Sequence, residues 1–144
     1  MMVSKRGLVL MLGLGSVLVT AWPDSGPDER AKGGPQDVPS KIAGVWRGHS
    51  ECAIKSSPCH DEVNVYRFSK VDGRPHAFSV TASKVVDGKE VVMGASEWKY
   101  DEKKQVVECE KPSIQLAIHG DQMDGALKLA DGTVYRRIYL RKES

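Results

Sequence analysis

The chain has 144 residues, 40% hydrophobic and 28% charged, which is room for one small domain. Its 21 basic residues are nearly balanced by 19 acidic ones. Without a charge excess to hold a polyanion, nucleic-acid binding loses its main physical support.

The N-terminus reads as an export signal. Lys5 and Arg6 form a short basic region, Gly7 to Val19 is apolar but for Ser16, and Val19-Thr20-Ala21 closes the run with small residues. A membrane-spanning helix needs ~20 apolar residues, and this run is shorter and rich in glycine. Cleavage is expected after Ala21, so residues 1–21 are a signal peptide and the mature chain, secreted or periplasmic, has no membrane anchor. Removing Lys5 and Arg6 leaves 19 basic residues against 19 acidic ones. Residues 22–40, "WPDSGPDERAKGGPQDVPS", carry four prolines among Gly, Asp and Ser. That composition has too little apolar surface to offset the entropy of ordering it, and it reads as a flexible linker. Residues 41–144 form the domain.

The domain alternates with a period of two. Strands are expected near 43–54, 61–70, 76–85, 89–95, 96–101, 105–110, 113–119, 122–130 and 133–142, the fourth and fifth being one bent strand if Gly94 is a kink. Phe78, Val80 and Ala82 share one face; so do Ile114, Leu116 and Ile118, and Met123, Leu127 and Leu129. Placing Val63 and Val65 on the core face with Trp46 leaves Tyr66 and Phe68 outward. Placing Val134, Ile138 and Leu140 inside leaves Tyr135, Arg137, Tyr139 and Arg141 outside. Asp72-Gly73, Asp87-Gly88 and Asp131-Gly132 supply the positive φ angles of tight hairpin turns. No window carries a helical stripe. The fold expected is all-β: an antiparallel up-and-down meander of eight or nine strands, closing on itself to bury one apolar face and remove its edges.

"GVW" at 44–46, followed by a meander of hairpins, resembles the opening of a lipocalin-type (calycin) barrel. That resemblance implies a tryptophan at the closed end under a basic side chain from near the last strand, a place for Arg136 or Arg137 of "YRRIYL". The stretches "GVWRG", "PCHDE", "VVDGK", "MGASE", "GDQMDGAL" and "DGTVYRRIYL" are also similar, in order, to a group of uncharacterised short bacterial secreted proteins. This second resemblance implies a small secreted lipocalin-like barrel and brings no activity with it. The chain departs from the group at Trp98, where a cysteine able to pair with Cys109 is expected.

Export sets the reading of the cysteines. In an oxidising compartment disulfides outrank zinc. Cys52 and Cys59 bracket a short loop and would face each other across its neck; Cys52–Cys109 is the competing pair. His49, Cys52, Cys59 and His60 are possible zinc ligands by type, but their spacing is unfamiliar and oxidation consumes both sulfurs, so no metal is expected. His119 could hold haem as a lone histidine, but it sits at a turn where a surface histidine is the plainer reading, and no cofactor is expected. There is no nucleophile elbow, no HExxH and no phosphate loop, so the chain does not read as an enzyme. Two functions remain. One is a carrier of a small apolar ligand, lined by Trp46, Phe78, Val80, Leu116, Ile118 and Leu127. The other is a protein-binding barrel, such as a hydrolase inhibitor, with a packed core and Tyr66, Tyr135 and Tyr139 as candidate contacts.

Overall fold

A computed structural model describes residues 37–144. The expected signal, 1–21, and the expected linker as far as 36 lie outside the described residues. The order is a short helix α1 (Val38–Ile42), then β1 (Gly44–Cys52), β2 (Glu62–Val71), β3 (Arg74–Val86), β4 (Lys89–Asp101), β5 (Val106–Cys109), β6 (Ser113–His119), β7 (Gln122–Lys128) and β8 (Val134–Lys142). The eight strands pair in sequence, all antiparallel, and β1 closes on β8.

Gly73, Gly88 and Gly132 all take positive φ as expected, but of the three aspartates only Asp87 does, so one of the three Asp-Gly pairs has both residues in the left-handed region. Asp87 and Gly88 both take positive φ, 50° and 76°, as the primed hairpin turn requires. The runs 89–95 and 96–101 are one strand. Gly94 pairs with Ala82 and Val92 with Ser83, so Met93 is the extra residue of a bulge that bends β4. At Gly48 and Gly125 the backbone of a neighbouring strand comes very close. A Cβ at Gly48 would lie 1.8 Å from the Tyr139 carbonyl oxygen, and one at Gly125 would lie 1.9 Å from that of Gln115. Only glycine lets neighbouring strands approach so closely.

The core is built from Trp46, Phe68, Phe78, Val80, Trp98, Val107, Leu116, Met123, Ile138 and Leu140, all buried. Placing Tyr66 and Phe68 on the outside is not what the structure shows. Tyr66 lies directly opposite Trp46 and Phe68 opposite Gly44, so both enter the barrel. β2 carries apolar residues on both faces, and register with β1 decides between them. Val63 is exposed, and Val65 is buried on the other face between its ladder partners Arg47 and Ser83. β8 follows the expected alternation, with Ile138 and Leu140 inside and Arg137, Tyr139 and Arg141 outside.

One end of the barrel is plugged. Helix α1 has too few residues for any periodic signal, and it begins inside the stretch read as a linker. Pro39 pre-sets its first turn, Ser40 Oγ donates to Asp37, and Ile42 is buried beneath it. The Trp46 indole N–H donates to the Ile42 carbonyl at 2.8 Å. The basic side chain over Trp46 is Lys142, 5.8 Å from the ring centroid, and not Arg136 or Arg137. Lys142 Nζ also donates to the Lys41 and Ser40 carbonyls at 2.6 and 3.3 Å, which caps the helix. Arg137 stands on the outer wall, and Arg136 enters the barrel at the opposite end.

Candidate functional site

The site follows from a mismatch in strand length. β4 has 13 residues and β5 has 4. They pair only at Lys99↔Glu108, Tyr100↔Val107 and Asp101↔Val106. Beyond Cys109 the chain turns through Lys111 and Pro112 into β6, and the line of β5 is left vacant. The result is a slot of about 270 Å³ in the upper wall, between β4 and the β5–β6 turn. Tyr66, Met93, Trp98, Lys111, Ile114 and Leu127 line it.

The floor of the slot is aromatic and ordered. Tyr66 and Trp98 meet edge-to-face at 5.8 Å, and Phe68 supports Trp98 at 5.5 Å. The Trp98 indole N–H donates to Ser96 Oγ at 3.0 Å, and Ser96 Oγ lies 3.6 Å from Cys109 Sγ. Trp98 therefore occupies, as a core aromatic, the place where the resemblance implies a cysteine. Burial, seconded by the Glu62 carboxylate, pushes the Tyr66 phenol up to about 12. It stays protonated at neutral pH and can donate a hydrogen bond.

Next to the slot, the open end holds a polar cluster. Arg136 donates to Ser50 Oγ at 3.1 Å and to the His60 carbonyl at 2.8 Å, and lies 3.4 Å from Glu62. Lys84 lies 3.9 Å from the same carboxylate. Asn64 is buried beside it, and its Oδ1 has no hydrogen-bond partner among the described residues. The Cys52–Cys59 disulfide closes the loop above, with the cysteine Cα atoms 5.9 Å apart, and Cys109 is a free, buried thiol. The Cys52 amide donates to Asp61 at 2.8 Å, tying the two ends of the loop a second time.

The residues expected to line a cavity mostly form the packed core. Trp46, Phe78 and Leu116 are 0% exposed and Val80 is 1% exposed. Ile118 and Leu127 are half-buried against that core, and of the six only Leu127 also lines the slot. His49 stacks on Tyr139 at 5.2 Å on the outer wall, away from the disulfide that holds both sulfurs. No group of three metal-ligating side chains forms among the described residues. His119 is exposed at its turn, 3.3 Å from Asp124. Larger hollows of about 390 and 430 Å³ are lined by charged residues such as Lys99, Glu108, Arg47 and Arg141 together with apolar ones such as Ile114, Met123 and Leu140. The slot, by contrast, is lined by the buried aromatics Tyr66 and Trp98. Sequence reasoning missed Met93, Trp98 and Lys111 as site residues. The one local signal was the Lys111-Pro112 pair that follows β5; the vacancy beside β4 follows from strand pairing and leaves no mark in the sequence.

No family model and no curated protein matches the chain. Among solved structures the chain is similar to a redesigned β-barrel, with a TM-score of 0.53 and 14% identity, over 74% of this chain and 95% of that one. At that identity the likeness is one of fold.

Proposed function

We propose that the protein is an exported, lipocalin-like barrel that works by binding another protein, with its interior filled by its own side chains. One observation carries this reading. Four of the six residues expected to line a cavity, Trp46, Phe78, Val80 and Leu116, are 0–1% exposed and belong to one packed cluster, so the barrel interior is occupied. Export is supported by the leader-like residues 1–21 and by the Cys52–Cys59 disulfide, a bond that persists in oxidising compartments. The plugged end, with Lys142 over Trp46, supports the lipocalin-like reading.

A second reading rests on the slot. Its volume of about 270 Å³ is just below that of common small-molecule pockets, so a small apolar ligand would sit in the wall and not in the barrel. The two readings part in one experiment. Protein purified from its native host is examined by native mass spectrometry and then titrated with a fluorescent apolar probe. The protein-binding reading expects no retained small molecule and no saturable probe signal. One-to-one probe binding that is lost in Leu127→Trp would establish the carrier instead.

A further inference from the structure

We infer that the disulfide-closed loop from Cys52 to Cys59 is an inhibitory plug: its Lys55 side chain enters the acidic pocket of a hydrolase that cuts after lysine or arginine, and its braced turn withholds the bond that enzyme would cut. The inference rests on the protein-binding reading above and names its surface and its partner. Between the two cysteines lie Ala53, Ile54, Lys55, Ser56, Ser57 and Pro58, and Lys55 carries the only charge among them. Lys55, Ser56 and Pro58 are exposed, while Ile54 and Ser57 are half-buried. Lys55 enters no ion pair among the described residues.

The loop is braced well beyond its disulfide. The Ser57 N–H and Oγ both donate to the Ile54 carbonyl, at 3.1 and 2.7 Å, which closes a turn with Lys55 and Ser56 at its tip. Below the tip, the Ala53 N–H donates to the Tyr135 carbonyl at 3.0 Å, the Cys52 N–H to Asp61 at 2.8 Å, and Arg136 to the His60 carbonyl at 2.8 Å. Both stems of the loop are therefore fixed to the barrel. A loop already held in one shape loses little freedom on binding, so a single charged tip delivers more of its attraction. The acids beside the loop have other partners. Glu51 lies 3.4 Å from His49, Asp61 accepts the Cys52 N–H, and Glu62 lies 3.4 Å from Arg136 and 3.9 Å from Lys84.

The braces, and not the charge alone, point to a hydrolase. An exposed loop tip is where proteolytic enzymes cut, and Lys55-Ser56 is a bond that a lysine-specific enzyme reads. Cutting requires the Lys55 carbonyl to lie against the enzyme's nucleophile and oxyanion donors. Reaching that geometry means drawing the backbone out of the turn. Here that breaks both bonds to the Ile54 carbonyl, inside a ring whose cysteines are only seven residues apart. The lysine head can fill a pocket that the Lys55-Ser56 bond cannot follow. The ring also keeps the two halves of the loop together on the barrel if that bond is cut.

The test adds the disulfide-intact mature protein to trypsin, whose specificity pocket holds an aspartate, and to chymotrypsin, whose pocket is apolar, each acting on a small chromogenic substrate. The expected result is saturable, competitive, one-to-one inhibition of trypsin alone, with the Lys55-Ser56 bond intact by mass spectrometry. Lys55→Arg should keep the inhibition, and Lys55→Glu should weaken it about thirtyfold or more. Both changes lie at an exposed tip, where the fold does not depend on them. Cys52→Ser/Cys59→Ser should be cut after Lys55 at least about tenfold faster than the closed loop. Resistance to cutting without inhibition makes the brace a shield only and overturns the inference. So does inhibition that Lys55→Glu leaves unchanged, or a closed loop cut as fast as the open one. Each of these leaves the protein-binding reading standing, since that reading fails only if the slot takes the apolar probe.

Discussion

The two ends of this barrel are held together by different physics. At the plugged end, helix α1, Trp46, Ile42 and Lys142 meet with every prominent polar atom bonded and the large side chains out of water. At the slot end, the outer half of β4 is exposed and the loop above it is held by a disulfide and an Arg136–Glu62 cluster. Burial is the larger and less adjustable source of stability. A fold secured by burial at one end is free to leave apolar surface uncovered at the other, where a crosslink and a few polar contacts keep the loops in place.

The contrast breaks first at Trp46. Trp46→Ala removes a fully buried indole, its bond to Ile42 and the ring under Lys142, and should cost about 3–5 kcal/mol. That is a large part of what a small domain possesses. Urea unfolding followed by circular dichroism would show it, and a loss below about 1 kcal/mol would mean the plug is not a main support.

The sequence carried much of the wall. Period-two alternation and the Asp-Gly turns marked the strands because each is a local signal. Face assignment was harder. In β2, Val63, Val65, Tyr66 and Phe68 offer an apolar residue at both parities, and only pairing with Trp46 puts the aromatics inside. Lys142, and not Arg136 or Arg137, reaches Trp46 because the end of β8 lies beside the start of β1, a relation set by barrel closure. Helix α1 was invisible because it makes barely more than one turn. The slot could not be read because it is the absence of a strand, caused by where β5 stops.

The disulfide gives the next effect. Cys52→Ser/Cys59→Ser releases a short loop and should lower stability by about 2–3 kcal/mol in the chain-entropy model. Because the loop lies at the slot end, exchange should rise in β1–β2 near Cys52 and Glu62 while amides near Trp46 keep their relative protection. Equal loosening of both ends would argue against their independence.

Alkaline pH sharpens the contrast inside the slot. The folded state holds the Tyr66 proton more tightly than the unfolded chain does. That stabilisation is complete below pH 10 and is lost as pH rises towards about 12. The shift amounts to about 2–3 kcal/mol. In Tyr66→Phe, the fall in stability between pH 10 and 12 should be correspondingly shallower. An unchanged slope would mean that the phenol is not buried.

The smallest change in stability is expected at Val92. Val92→Lys sits on an exposed stretch and should alter unfolding free energy by no more than about 0.5 kcal/mol. A much larger loss would mean that the hairpin is packed against something and is not free.

Native-state hydrogen exchange of the unbound protein tests the central claim most directly, because it reads both ends in one sample. The account predicts that ladder amides around Trp46, Phe68 and Leu140 open only with global unfolding. Amides from Val91 to Glu97 should exchange through much cheaper local openings. Equal protection along the whole of β4 and β1 would contradict it, since the two ends would then be held alike.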